Sequence, residues 1–343
     1  MGKLIYLDNA ATTKTAPEVV EAMLPYFTEH FGNPSSVYSV GSSNKEVITK
    51  QRETIAKALG AKTDEIYFTA GGSESDNWAL KATAEAYESK GKHIITTKIE
   101  HHAILHTGEY LEKRGYEVTY LDVDENGIVS PEAVEAAIRP DTILISVMFA
   151  NNEIGTIEPI KEIGEIAHKH GILFHTDAVQ AFGQVPIDVD EYNIDMLSSS
   201  GHKINGPKGI GFLYIRKGVK IKSFVHGGAQ ERKRRAGTEN VPGIVGIGTA
   251  AKRAAANMEE RTAKEREVRR CIVPEENKAE AALVSGMQVI GVKDLKETIE
   301  FLKSGSKPQK KKVQQTGSVQ ERETEESFPD FGDLCGQKNV RRA

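Results

Sequence analysis

The sequence predicts an α/β fold, a mainly parallel sheet covered by helices on both faces. Three observations lead there. From about residue 3 to residue 225, short apolar, β-branched runs alternate with helical segments. Several of the runs are apolar almost throughout, as strands buried on both faces must be. Helix-start and helix-stop residues punctuate the segments between them.

The strand runs come in order as "EIYFTA" (65–70), "KHIITTKIE" (92–100), "YEVTYLDV" (116–123), "TILISVMFA" (142–150), "GILFHTDAV" (171–179), "IDMLSSS" (194–200) and "GIGFLYIRK" (209–217). Between them, "SDNWALKATAEAYESKG" reads as a helix starting near Ser73 and ending on Gly91 as a C′ glycine. "SPEAVEAAI" carries a Ser cap and a Pro at its first helical position. Residues 245–270 are strongly helical and end in dense charge. Residues 271–303 read as a small strand–helix–strand–helix unit, and residues 304–343 as a polar tail too poor in apolar residues to fold. Its lysine cluster "KPQKKK" (307–312) sits in mixed charge and reads as solvated.

Composition narrows the function classes. The chain has 343 residues, a net charge of −4 and a hydrophobic fraction of 38%. That balance gives no electrostatic case for nucleic acid or anionic membrane. Two cysteines, Cys271 and Cys335, show no pairing logic and argue for a reducing compartment. With no signal-like amino terminus and no run of about eighteen apolar residues, the expectation is a soluble cytoplasmic protein.

In parallel sheets of this kind ligands gather at the carboxyl ends of the strands, and there the polar residues concentrate. After "EIYFTA" come Gly71, Gly72 and Ser73, either an anion site at a helix start or a tight turn with Ser73 as N-cap. After the second run, His102 and His106 have the spacing of a metal pair, but no third ligand stands near and no metal is expected. Asn151 and Asn152 offer amides for a polar ligand. Asp177 follows an apolar strand, where a carboxylate is costly unless a cation meets it; its plain reading is a turn or cap. Ser200, His202 and Lys203 follow the next strand, and Lys203 could simply reach water over its packed stem. Taken together, these groups match what pyridoxal phosphate needs. They comprise donors for a phosphate, an imidazole to stack on a flat ring, a carboxylate for the pyridinium nitrogen, and a lysine amine for a Schiff base.

"YLDNAATT" (6–13), "FGNPSS" (31–36), "GGSESDN" (71–77), "EHHA" (100–103), "ANNEIGT" (150–156), "HTDAVQ" (175–180), "SGHKINGPKG" (200–209) and "HGGAQERKRRAGTENVPGIVG" (226–246) together resemble the cysteine desulfurases of the class V aminotransferase superfamily, from about residue 3 to about 260. The resemblance implies a fold-type-I large domain over residues 1–260 and a pyridoxal 5′-phosphate cofactor. It also implies conversion of L-cysteine to L-alanine, with sulfur passed on for iron–sulfur cluster or thio-cofactor assembly. Lys203 would form the Schiff base, His101 would stack on the ring and move protons, Asp177 would pair with the ring nitrogen, and Gln180 would bond the phenolic oxygen. Gly72, Ser73, Ser200 and His202 would hold the phosphate, with Thr238 reaching in from the other subunit of a homodimer. Asn152 would help hold the substrate carboxylate. Asn205, where the family often has an aromatic residue, reads as a peripheral change.

The family's sulfur chemistry also needs a nucleophilic cysteine on a mobile Ser/Gly-rich loop and an arginine for the substrate carboxylate. Neither Cys271 nor Cys335 has that setting, so impaired sulfur transfer is expected. Residues 272–303 and 328–343 resemble instead pieces of magnesium-chelatase-related ATPases, the end of a Lon-like domain and a linker; no P-loop follows. Another class V reaction, such as selenocysteine cleavage, or a non-enzymatic fusion remnant are the alternative readings. An iron–sulfur scaffold or other sulfur acceptor is the expected protein partner. Without the family's small domain, apolar surface near residues 241–258 is expected to be exposed unless the 271–303 unit covers it.

Overall fold

The computed structural model describes residue 6 and residues 8–266, 270–275 and 288–304. The chain forms two compact units, residues 1–267 and 268–343.

The first unit is built on one sheet: β1 (Ile66–Thr69), β2 (His93–Thr97), β3 (Glu117–Leu121), β4 (Thr142–Ser146), β5 (Leu173–Asp177), β6 (Met196–Ser200) and β7 (Gly211–Ile215). The order across the sheet is β1-β7-β6-β5-β4-β2-β3. β2 through β6 pair parallel, while β7 runs against both β6 and β1. The carboxyl ends of β1, β2, β4, β5 and β6 therefore share one edge. Each expected strand forms, because a run apolar on both faces has two helical layers to bury against.

One layer holds α1 (Pro17–Met23), α2 (Pro25–Thr28), α3 (Ser39–Ala58), α6 (Pro131–Ala136), α7 (Ile160–His170) and α9 (Val241–Arg266). Ile55, Leu59, Ile163, Ile244 and Ile247 from this layer meet Ile95, Ile145, Phe174 and Phe212 of the sheet. The opposite layer holds α4 (Gly72–Tyr87) and α5 (His102–Glu112). There Trp78, Leu80, Ile104 and Leu111 meet Ile94, Leu144, Met196 and Leu213. Successive strand residues go to opposite cores, as the period of two requires. α8 (Gln230–Lys233) lies on the connection from β7 to α9.

Local signals explain most boundaries. Ser130 caps α6 by accepting from the Ala133 amide at 3.2 Å, and Pro131 opens the helix. Gly171 closes α7 in the left-handed conformation, φ 65°. The helix expected near Ser73 forms, but the readings of Ser73 as its N-cap and of Gly91 as its C′ glycine both fail. α4 starts at Gly72 with Gly71 as N-cap, so Ser73 lies inside the first turn. It ends at Tyr87, and Gly91 is not left-handed; a Cβ on Gly91 would stand 2.1 Å from the Asp141 carbonyl oxygen, so close backbone approach is what calls for glycine there.

The expected bare surface near residues 241–258 is also corrected. Val241, Ile244, Val245, Ile247, Ala250, Ala251 and Ala254 are buried, because α1 and α3 pack along α9 within the same unit. Large exposed apolar side chains gather instead from the end of α1 through α2 and the α2–α3 connection, at Leu24, Phe27, Phe31, Val37 and Tyr38.

In the second unit, β8 (Arg270–Pro274) pairs parallel with β9 (Gln288–Val292), and α10 (Leu295–Ser304) follows. The helix expected between the two strands and the polar tail, with Cys335, lie outside the described residues. No helix among the described residues is long and apolar enough to cross a membrane.

Candidate active site

The polar residues at the carboxyl edge converge because the register puts them side by side. Gly211 at the start of β7 is opposite both Thr69 of β1 and Ser200 of β6. A Cβ on Gly211 would sit 2.7 Å from the Gly71 Cα, so only glycine lets the β1–α4 turn close over β7. A Cβ on Gly72 would come 2.6 Å from Val179 and 3.6 Å from the Ser200 Cβ. The amino terminus of α4, a 16-residue helix, thus opens beside Ser200, with Ser73 exposed in its first turn. Free amides and a hydroxyl at a helix start suit a phosphate.

Lys203 ends the 3₁₀ turn Gly201–Lys203 that follows β6. It is half-buried, and its ammonium donates to the carbonyls of Ala10 and Ala11, the latter at 3.0 Å. Desolvation pulls its pKa below the ordinary lysine value, against the opposing pull of Asp177, Asp8 and Glu153. Asp177 closes β5 and is 6% exposed. It accepts from the Val179 amide at 2.9 Å. Burial raises its pKa, offset by that bond and by the charges of His101 and Lys203. The cation that a buried aspartate requires is therefore met across the strand ends.

His101 is the N-cap of α5, its Nδ1 accepting from the Ala103 amide at 3.1 Å. In the neutral ring the proton then sits on Nε2. The side chain is open to solvent, yet desolvation by its walls lowers its pKa. A ring nitrogen of His101 and oxygens of Asp177 and Asp76 lie within 4.8 Å of one another. His102 and His106 pack edge to face, ring centroids 5.1 Å apart, outside that group.

An amino-terminal strap holds the other residues in place. Gln180 donates from Nε2 to the Ala10 carbonyl at 3.0 Å, sharing that oxygen with Lys203. His202 Nδ1 lies 3.0 Å from the Thr12 hydroxyl, and the His202 carbonyl accepts from both the amide and the hydroxyl of Thr13. Asn205 is not peripheral. It takes a left-handed backbone, φ 60°, and binds the strap through Thr13, Lys14 and Ala16. Asparagine tolerates that conformation better than an aromatic residue would.

Asn151 and Asn152 divide their roles. Asn151 is consumed structurally: its Oδ1 accepts from the amides of Glu153 and Ile154, and its Nδ2 donates to the Ile99 carbonyl. Asn152 is half-buried and donates to the Glu153 carboxylate at 2.5 Å, whose charge is felt by Lys203 and His101. Thr238 lies apart, exposed, on a cavity of about 210 Å³ that it lines with Thr69, Ala70, Gly209 and Arg235.

Sequence reasoning missed the strap residues Ala10–Thr13 as contacts and two buried acids, Asp76 and Glu100. Glu100 is 4% exposed, accepts from the Thr97 hydroxyl and the Met148 amide, and is pushed by burial up to about 8. A signal for Asp76 was available: it shares helical spacing with Ala79, Leu80 and Thr83, all buried.

The residues fit pyridoxal phosphate. The glycine cradle leaves room at the α4 terminus, a carboxylate and an imidazole stand beside one another, and a desolvated amine faces them.

Comparison with known proteins agrees in kind. The family model for class-V aminotransferases matches residues 5–310. A cysteine desulfurase IscS of Methanosarcina thermophila is 66% identical over 258 residues, 75% of this chain and 64% of that protein. One from Dictyoglomus turgidum is 54% identical over 278 residues, 81% of this chain and 71% of that protein. Among solved structures, a NifS-like protein superposes with a TM-score of 0.74 at 44% identity, covering 75% of this chain and 71% of that one. SspA in complex with cysteine gives 0.72 at 44% identity, covering 76% and 78%. The chain spans just under two thirds of the length of the Methanosarcina relative.

Proposed function

Because the chain belongs to the class-V aminotransferase family and, within it, to the cysteine desulfurases, we propose that it acts on L-cysteine with pyridoxal 5′-phosphate, releasing L-alanine and passing on sulfur. The observation that carries this reading is the joining of Lys203, Asp177 and His101 at one sheet edge. Pyridoxal phosphate supplies an electron-withdrawing ring that stabilises negative charge on the α-carbon of a bound amino acid.

This chain's residues do the rest. Lys203, with a depressed pKa, offers the amine that the cofactor's aldehyde requires, and the Ala10 and Ala11 carbonyls aim it. Asp177 places a negative charge where the ring nitrogen would lie. His101 presents an exposed imidazole with Nε2–H free to hold or move a proton near the substrate. Gly72, Ser73, Ser200 and His202 are the phosphate donors, and Gln180 and Asn152 the polar contacts to the ring and the substrate carboxylate. Kinship further suggests a homodimer, with Thr238 serving the partner's phosphate, and a sulfur-accepting protein such as an iron–sulfur scaffold. For residues 272–303 and 328–343 we propose the kinship with magnesium-chelatase-related ATPases on their own motifs, although the class-V match extends to residue 310.

Sulfur transfer through a chain thiol is expected to be weak, because Cys271 belongs to β8 rather than to a loop. The test follows alanine and sulfide from L-cysteine in the parent and in a Cys271→Ser/Cys335→Ser double variant. Slow alanine release, unchanged in the double variant, is expected. Rapid desulfuration that needs neither cysteine would overturn the account of the thiol.

A further inference from the structure

Asp76 lies beneath the site and has no role in the reading above. It is on the inward side of α4 and 1% exposed, and its Oδ1 has no hydrogen-bond partner. His175 Nε2 stands 3.8 Å from that oxygen. Yet His175 is already engaged, its Nδ1 with the Ser146 hydroxyl at 2.9 Å and its Nε2 with the Ser198 hydroxyl at 3.0 Å. Burial drives the His175 pKa down to about 3, so the ring stays neutral and offers Asp76 no charge.

An oxygen of Asp76, an oxygen of Asp177 and a ring nitrogen of His101 lie within 4.8 Å of one another. Two carboxylates this close in a water-poor setting do not both ionise. The surroundings decide which one keeps the proton. Asp177 has the Val179 amide and the cationic fields of His101 and Lys203, all of which favour its charged form. The carboxyls that neighbour Asp76 are Asp177 and Glu100, either of which opposes its ionisation when charged, and only a hydroxyl bond from Ser198 favours it.

We propose that Asp76 is a positioning residue that carries one proton and backs Asp177, holding the pair at a single negative charge located on Asp177, beside the cofactor's ring nitrogen. The proposal rests on the pyridoxal phosphate reading of the preceding section and extends it to a residue that touches neither cofactor nor substrate. Asp76 supplies a neutral carboxyl where a second negative charge would hold a proton on His101 or drive one onto Asp177 itself. The groups that face it are Asp177, His101, His175 and Glu100, and of these only Asp177 is assigned a negative charge.

The test is infrared difference spectroscopy of the holoprotein, parent minus Asp76→Asn, near neutral pH. A protonated-carboxyl stretch lost in Asp76→Asn is expected, separate from the one that Glu100→Gln removes, since Glu100 is also held protonated near neutral pH. A second reading follows the pH midpoint of the bound cofactor's visible band. Asparagine replaces a neutral acid by a neutral amide, so the midpoint should stay within a few tenths of a unit and the cofactor dissociation constant within about twofold. A midpoint shift of about one unit or more, with no lost stretch, would show that Asp76 is ionised and overturn the proposal. If Asp76→Asn does not fold, carboxyl-¹³C-aspartate NMR of the parent decides. One buried carboxyl should stay at the acid position across about pH 5 to 8, and titration of every aspartate below that range would refute it. Failure of pyridoxal phosphate to bind would instead remove the functional reading, while the infrared and NMR arms still report the Asp76 proton.

Discussion

The two edges of the seven-stranded sheet treat charge in opposite ways. At the amino-terminal edge, Arg139 pairs with both Asp141 and Glu117, and those partners are exposed. Pairing there pushes each group further toward its charged form, Arg139 up and Asp141 down. His93, buried at the start of β2, has both ring nitrogens satisfied by Thr142 and Thr119. At the carboxyl edge, Asp76, Glu100, Asp177, His175 and Lys203 are all moved toward neutrality by burial. One edge spends its charges on structure, whereas the other holds its groups desolvated and drawn toward neutrality, as groups poised for a ligand or a proton are held.

One buried pair braces the carboxyl edge, and breaking it should have the largest effect on stability. Glu231 accepts from both terminal nitrogens of Arg52 at 2.7 Å and from the Phe68 amide at 2.9 Å. It does so in a left-handed backbone, as do Arg232 and Lys233, on the connection that carries Thr238. Glu231→Gln leaves the buried guanidinium without its counter-charge. A loss of about 3–5 kcal/mol in denaturant unfolding is expected, and a loss below about 1 kcal/mol would show that the brace is dispensable.

Next in size are the pH effects. Glu100 rises from 4.5 to about 8 in the folded protein, so its favourable contribution is full below pH 4.5 and is lost as pH rises through about 8. Glu100→Gln should remove a slope of up to about 1.4 kcal/mol per pH unit across that window, read from unfolding midpoints at several pH values. His175 works in the other direction. Its folded pKa is depressed to about 3, so its contribution is full above pH 6.5 and is lost as pH falls toward 3. The smallest effect belongs to the amino-terminal edge. Arg139→Ala, which breaks only exposed pairs, should leave the unfolding midpoint near the parent's, and the comparison between the edges weakens if it does not.

Much of this contrast was legible in the sequence. All seven strands follow from apolar runs between helical signals, since burial on both faces leaves a pattern that single residues cannot disguise. The glycines, Asp177 and Lys203 stood out because small and charged residues at strand ends have few structural uses. The strap was not legible: Lys203 and Gln180 bind backbone carbonyls about 170 to 190 positions away, and a carbonyl carries no side-chain signature. The left-handed run Glu231–Lys233 was hidden for a related reason, as nothing in three charged residues announces positive φ. Gly91 misled because a glycine after a helix serves equally as a cap or as room for a neighbouring chain.

The central claim is that the carboxyl edge binds pyridoxal phosphate through the Lys203 amine. Borohydride reduction of the reconstituted protein, followed by peptide mass mapping, tests it most directly. The account predicts a pyridoxyl group fixed to the peptide containing Lys203, together with loss of the visible band in Lys203→Ala. A pyridoxyl group on another lysine, or an unchanged band in Lys203→Ala, would contradict it.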